Sequence, residues 1–159
     1  MVRALLDSGG LTVAKARAVI EQLQTPHAHV AEVLGIAQSS VTPDVASGIE
    51  LDRVLRLVTR WGWGIDPGDT ASLGALEHAL DGLEAAGFEL PDGVLDHYAA
   101  HMAAIATEEV ARIPTESVDA AVRYVVLGTV LVEPLLLALR RLAQQDASVR
   151  RFDYRGPDC

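Results

Sequence analysis

The chain has 159 residues and a mass of 16.9 kDa, the size of one ordinary domain, which buries roughly two-thirds of its unfolded surface without help from disulfides or metals. Half its residues are hydrophobic and 22% are charged, too apolar for a disordered chain. Its formal charge of −9 argues against an autonomous nucleic-acid binder, and its single cysteine, Cys159, excludes a disulfide framework and any cysteine-rich metal centre.

The first ten residues lack the apolar core and cleavage site of a signal peptide, so a cytoplasmic location is expected. Residues 1–6 read as the tail of a helix that begins before the chain does. Gly9-Gly10 is a turn, and Thr12 then caps an amphipathic helix to Leu23, with Val13, Ala16, Val19, Ile20 and Leu23 on one face. Thr25-Pro26 starts a short helix over 27–37. A polar linker ending in Thr42-Pro43-Asp44 starts another, with Ile49, Val54, Leu55, Leu57 and Val58 as its apolar positions to about Arg60.

Trp61-Gly62-Trp63-Gly64-Ile65-Asp66-Pro67-Gly68 is a rigid connection holding both tryptophans. From Asp69, Leu73, Leu76, Leu80 and Leu83 recur at helical spacing until Gly87, a C-terminal cap glycine. Leu90-Pro91-Asp92-Gly93 restarts a helix carrying Val94, Leu95, Tyr98, Met102, Ile105 and Val110 to about Ile113. The last helix opens at Pro114-Thr115, runs to about Gln145, and is apolar around most of its circumference. It is expected to be a central core helix, kinked where Pro134 cannot donate to the Val130 carbonyl. Its apolar stretch, 124–139, is shorter than a membrane span and includes Glu133, so no membrane association is expected. No run alternates with the period of a strand, and the expected fold is all-α, a single bundle of about seven helices.

Chemistry-bearing motifs are sparse. His97 and His101 stand at the i, i+4 spacing of a shared metal, but no HExxH pattern or third ligand accompanies them, and two histidines on a partly exposed face is the stronger reading. No nucleophile elbow, phosphate loop or dinucleotide fingerprint occurs. Glu108 and Glu109 diverge around a helix. The reading is of a protein that is not an enzyme, with no cofactor and no metal ligand. A cavity for a small organic molecule is the remaining site, and Trp61, Trp63, Tyr98, His101, Tyr124 and Glu133 are its candidate lining, since pockets combine aromatic walls with a few polar groups. Against that stand tryptophans that plug a small core, and a buried Glu133 that pairs with Arg123 or Arg56. Arginines 140, 141, 150, 151 and 155 gather at the C-terminus, where they complement the helix dipole.

The segment from Val2 to Leu23, with Ser8-Gly9-Gly10-Leu11-Thr12-Val13-Ala14, resembles the second wing of the DNA-binding domain in MerR-family transcription regulators. Val30-Ala-Glu-Val-Leu-Gly-Ile-Ala-Gln38, Trp61-Gly-Trp63, Ala106-Thr-Glu-Glu-Val110 and residues 127–143 are similar to the helical C-terminal region of bacterial members. The resemblance implies a remnant of a DNA-binding domain over 1–24, connecting and possible dimerisation helices over 25–60, a helical effector-binding domain over 61–152, and a flexible tail over 153–159. It also implies a homodimer and a small organic effector. Arg3, Lys15 and Arg17 would touch DNA phosphates in a longer protein, while the winged helix-turn-helix that reads bases is absent from this sequence, so DNA is expected to be contacted only through such a missing domain. The alternative is a stand-alone helical module that binds a protein partner and no ligand.

Overall fold

A computed structural model describes residues 12–14, 17, 20–21, 49–91 and 93–152. Every element among them is helical, as the periodicity predicts, and there are four: α1 (Asp52–Arg60), α2 (Thr70–Ala85), α3 (Val94–Val110) and α4 (Val118–Phe152). The expected count of about seven is thus reduced to four among the described residues. Of the helix predicted over 12–23, Val13, Ala14, Arg17, Ile20 and Glu21 are helical, Val13 being exposed and Ile20 half-buried. The helix predicted over 27–37 lies outside the described residues, as do Arg3, Lys15 and Arg155.

α1 begins later than its apolar pattern suggests, because residues 49–51 are not helical and the Leu51 side chain cannot cap. Its cap comes from another helix. Glu77, buried on α2, accepts the Val54 N–H at 3.2 Å through Oε2, which satisfies one of the amides that a helix start leaves without a partner. Arg53 stands beside it and reaches three carboxylates one turn apart on α2: Glu77 at 2.6 Å, Asp81, and Glu84 at 3.2 Å. Burial works against the Arg53 charge, and its hydrogen bonds to Asp81 and Glu77 outweigh that and raise its pKa further. Val54 and Val58 of α1 and Leu73 of α2 form the core of this pair.

The Trp-Gly-Trp turn is the C-terminal cap of α1. Gly62, at φ 73°, donates to the Thr59 carbonyl at 3.0 Å, and Trp63 donates to the Val58 carbonyl at 2.9 Å. This is the Schellman arrangement, in which a left-handed residue turns the chain and the next side chain folds back on the helix. α2 ends the same way: Gly87, at φ 64°, donates to Glu84, and Phe88 donates to Leu83, both at 2.9 Å. Asp69 caps the start of α2 by accepting the Ser72 N–H at 3.1 Å.

α4 is longer than expected, reaching Phe152 rather than about Gln145, and it runs through Pro134. Ser117 caps its start on the Ala120 N–H, and the Asp146–Arg150 ion pair supports its last turns at 2.5 Å. Only its first half is core: Ala121, Val122, Val125, Val126 and Val130 are buried, with Ala99 of α3. Beyond it Leu135, Leu137, Leu139, Leu142, Val149 and Phe152 are exposed. The expectation of a central buried helix therefore holds for one face of residues 121–132 and fails beyond Leu136, after which the described side chains of α4 stay exposed. By length and composition α4 also qualifies to cross a membrane, with a mean hydropathy of 1.9 over 18 residues of which 22% are buried.

Candidate functional site

The six residues expected to line one cavity fall into three places. Trp61 and Trp63 face each other with ring centroids 4.9 Å apart and planes tilted by 53°, and both pack on the Val54–Val58–Leu73 cluster. They plug the small core, and their pairing follows from the cap geometry of α1. The indole Nε1 of Trp61 donates to Oδ1 of Asp96 at 2.6 Å, and Arg60 donates to the same oxygen at 2.5 Å. The Trp61 hydrogen bond is the main influence holding the Asp96 carboxyl below its usual range; partial burial opposes it and Arg60 reinforces it. Asp96 thereby ties the α1 cap to the first turn of α3.

Tyr98 and His101 lie exposed on α3. His101 Nδ1 stands 2.7 Å from the His97 carbonyl, a geometry in which the ring nitrogen donates. Among the described residues no group of three or more His, Cys, Asp or Glu side chains could hold a metal ion.

Tyr124 and Glu133 do come together. They line a groove of about 300 Å³ between the C-terminal end of α3 and the first half of α4. Val110, Ile113, Val125, Val132 and Leu136 make its walls apolar, and Glu109, Glu133, Tyr124 and Thr129 supply its polar groups. Gly128 lies along its α4 side, and a Cβ placed there meets no atom within 4 Å, so the missing side chain is part of the groove's volume. Glu133 is exposed rather than buried, and among the described residues neither Arg123 nor Arg56 pairs with it. The uncovered second half of α4 begins at that residue, which is why its carboxylate stays in water.

Glu108 and Glu109 diverge as the helical spacing dictates: Glu108 pairs with Arg112 at 3.0 Å, while Glu109 turns to the groove. The groove holds two carboxylates and no Lys or Arg. Its chemistry suits a small apolar molecule bearing a positive charge or an amine, which would bury its carbon frame on the valines and keep its charge near the carboxylates. Val110, Ile113 and Glu109 were not among the residues expected here. The repeat of apolar residues at the end of α3 was their only sequence signal, and it is the signal of any core face.

No protein-family model matches the chain, and no curated protein or solved structure matches it either.

Proposed function

We propose that this chain is the effector-sensing and dimerisation region of a MerR-like bacterial transcription regulator, acting in the cytoplasm and without catalysing a reaction. In this reading a small organic ligand enters the α3–α4 groove and biases the geometry of an attached DNA-binding head. The observation that carries it is the groove itself, which Tyr124 and Glu133 line together over an apolar floor with room left by Gly128. The wing-like segment over 2–23 supports the link to DNA, and Arg17 in it is exposed.

The test is calorimetry on a panel of apolar amines, with neutral and carboxylic analogues of the same shape, against the wild type, Gly128→Leu and Glu133→Gln. The expected result is heat from amines with the wild type, little with Gly128→Leu, and a preference for amines weakened in Glu133→Gln. Equal, absent heats across the panel would remove the sensing half of the reading.

A second reading, a helical module that binds a protein and no ligand, is favoured by the exposed leucines of α4. Silence across the amine panel together with retained self-association would support it.

A further inference from the structure

Every residue of α4 from Leu137 to Phe152 is exposed, over roughly 24 Å of helix. At about 100° per residue, Leu135, Leu139, Leu142 and Val149 fall within an arc of about 80°. These four are 54%, 52%, 63% and 66% exposed, a continuous apolar stripe in contact with water. The opposite arc holds Arg140, Arg141, Gln144, Ser148 and Arg151, with Leu137 among them.

Charge selects what this face meets. Residues 137–152 carry four arginines, one aspartate and no lysine or glutamate, on a chain whose net charge is −9, so the segment is basic and the body acidic. The one polar residue inside the apolar arc is Asp146, and its carboxylate is paired with Arg150 at 2.5 Å, which cancels its charge locally. An apolar stripe backed by arginines is complementary to a surface that offers acyl chains beneath phosphates.

We propose that residues 137–152 dock the protein on an anionic lipid surface. The helix lies in the plane of the headgroups, with Leu139, Leu142 and Val149 at the acyl boundary and the arginines reaching lipid phosphates. Crossing the bilayer is a different geometry. The 18-residue window of α4 that is apolar enough to cross, at a mean hydropathy of 1.9, is 22% buried, so a span would pull core residues out of the protein. Lying flat exposes no core. The expectation of no membrane association followed from the length of a span, which in-plane docking does not need. The acidic body is repelled by the same surface and stays in water. Leu136 lines the end of the α3–α4 groove and precedes this segment directly, so docking holds that end of the groove beside the lipid.

Cosedimentation of the full chain with sucrose-loaded vesicles tests this, using equal parts phosphatidylcholine and phosphatidylglycerol, and phosphatidylcholine alone. The wild type is expected to bind the mixed vesicles at least roughly 10-fold more tightly than the neutral ones, and less tightly as salt is added. Leu139→Glu/Leu142→Glu, on the apolar arc, should weaken binding roughly 100-fold. Leu137→Glu/Ser148→Glu adds the same two charges on the opposite arc and should weaken it by less than about 10-fold. Asp146→Ala removes the polar residue from the apolar arc and frees Arg150, and should tighten binding. All five positions are exposed, so far-ultraviolet circular dichroism of the variants should match the wild type.

Equal losses in the two double variants would overturn the apolar docking face, and equal binding to both vesicles would overturn the choice of anionic lipid. A wild type that stays in solution with both would overturn the proposal outright. If that protein also self-associates in sedimentation equilibrium, and Leu139→Glu/Leu142→Glu abolishes the association, the face belongs to a second copy instead.

Discussion

The indole of Trp61 and the carboxylate of Asp96 meet at 2.6 Å, joining the end of α1 to the start of α3 across thirty-five residues. Because the hydrogen bond favours the ionised carboxylate, the folded Asp96 titrates below its unfolded counterpart. The stabilisation is therefore complete above the unfolded carboxylate range, near pH 4, and disappears as the pH falls through the lower folded value. Urea midpoints measured from pH 6 downward should fall more steeply in the wild type than in Asp96→Asn. Trp61→Phe should flatten the same profile, since it removes the donor and leaves the charge. Equal slopes in all three would separate Asp96 from acid sensitivity.

Glu77 holds the first turn of α1 and neutralises Arg53 in one gesture, so its loss leaves an amide and a guanidinium short of partners together. Glu77→Ala should destabilise by about 2–4 kcal/mol in urea unfolding, below the cost typical of a fully buried pair because Arg53 is a third exposed to water. Glu77→Gln keeps an acceptor for Val54 and should cost less. Glu84→Ala, at the exposed end of the same row, should cost under about 0.5 kcal/mol.

Gly62 is required by its backbone rather than by crowding: at φ 73°, a Cβ there would meet nothing within 4 Å. Gly62→Ala should cost about 1 kcal/mol by thermal unfolding, all of it from the left-handed conformation. It should also change tryptophan emission, since the turn sets the angle between the two rings. Emission identical to the wild type would mean that the pair holds its geometry without the turn.

Gly128 is the opposite case. It sits inside α4 with ordinary helical backbone and open space around it, so Gly128→Ala should stabilise by up to about 1 kcal/mol through helix propensity alone. The same substitution takes volume from the groove and should weaken amine binding. A protein that is both more stable and a poorer binder would mark this glycine as kept for the space it leaves. Unchanged binding with raised stability would place the ligand elsewhere.

The helices that bury one stripe were legible in the sequence because their periodicity states the burial: Leu73 with its neighbours Leu76 and Leu80, bounded by Asp69 and Gly87, form α2 as read. The start of α1 was not, because its cap is Glu77, and nothing local to Leu51 signals a carboxylate twenty-six residues away. Aromatic scarcity drew attention to Trp61 and Trp63, yet sequence spacing alone cannot separate a helix cap from a pocket wall. The fate of α4 was hidden for a related reason. An apolar run reads alike whether its own domain covers it or not, and Glu133 looked buried only because its neighbours in sequence are apolar. Tyr124 and Glu133 share a groove because both belong to the stretch of α4 beside the end of α3, while Tyr98 and His101 lie further back along α3.

α1 has nine residues, fewer than an isolated helix needs to persist in water, and both its ends are fastened by groups outside it. Its amides should therefore have no opening reaction of their own. In native-state hydrogen exchange the Val54 and Val58 amides should show the same opening free energy as those in the middle of α2, because releasing Glu77 is what lets α1 unwind. The two helices would then open as one cooperative unit, and Asp96 ties that unit to the first turn of α3.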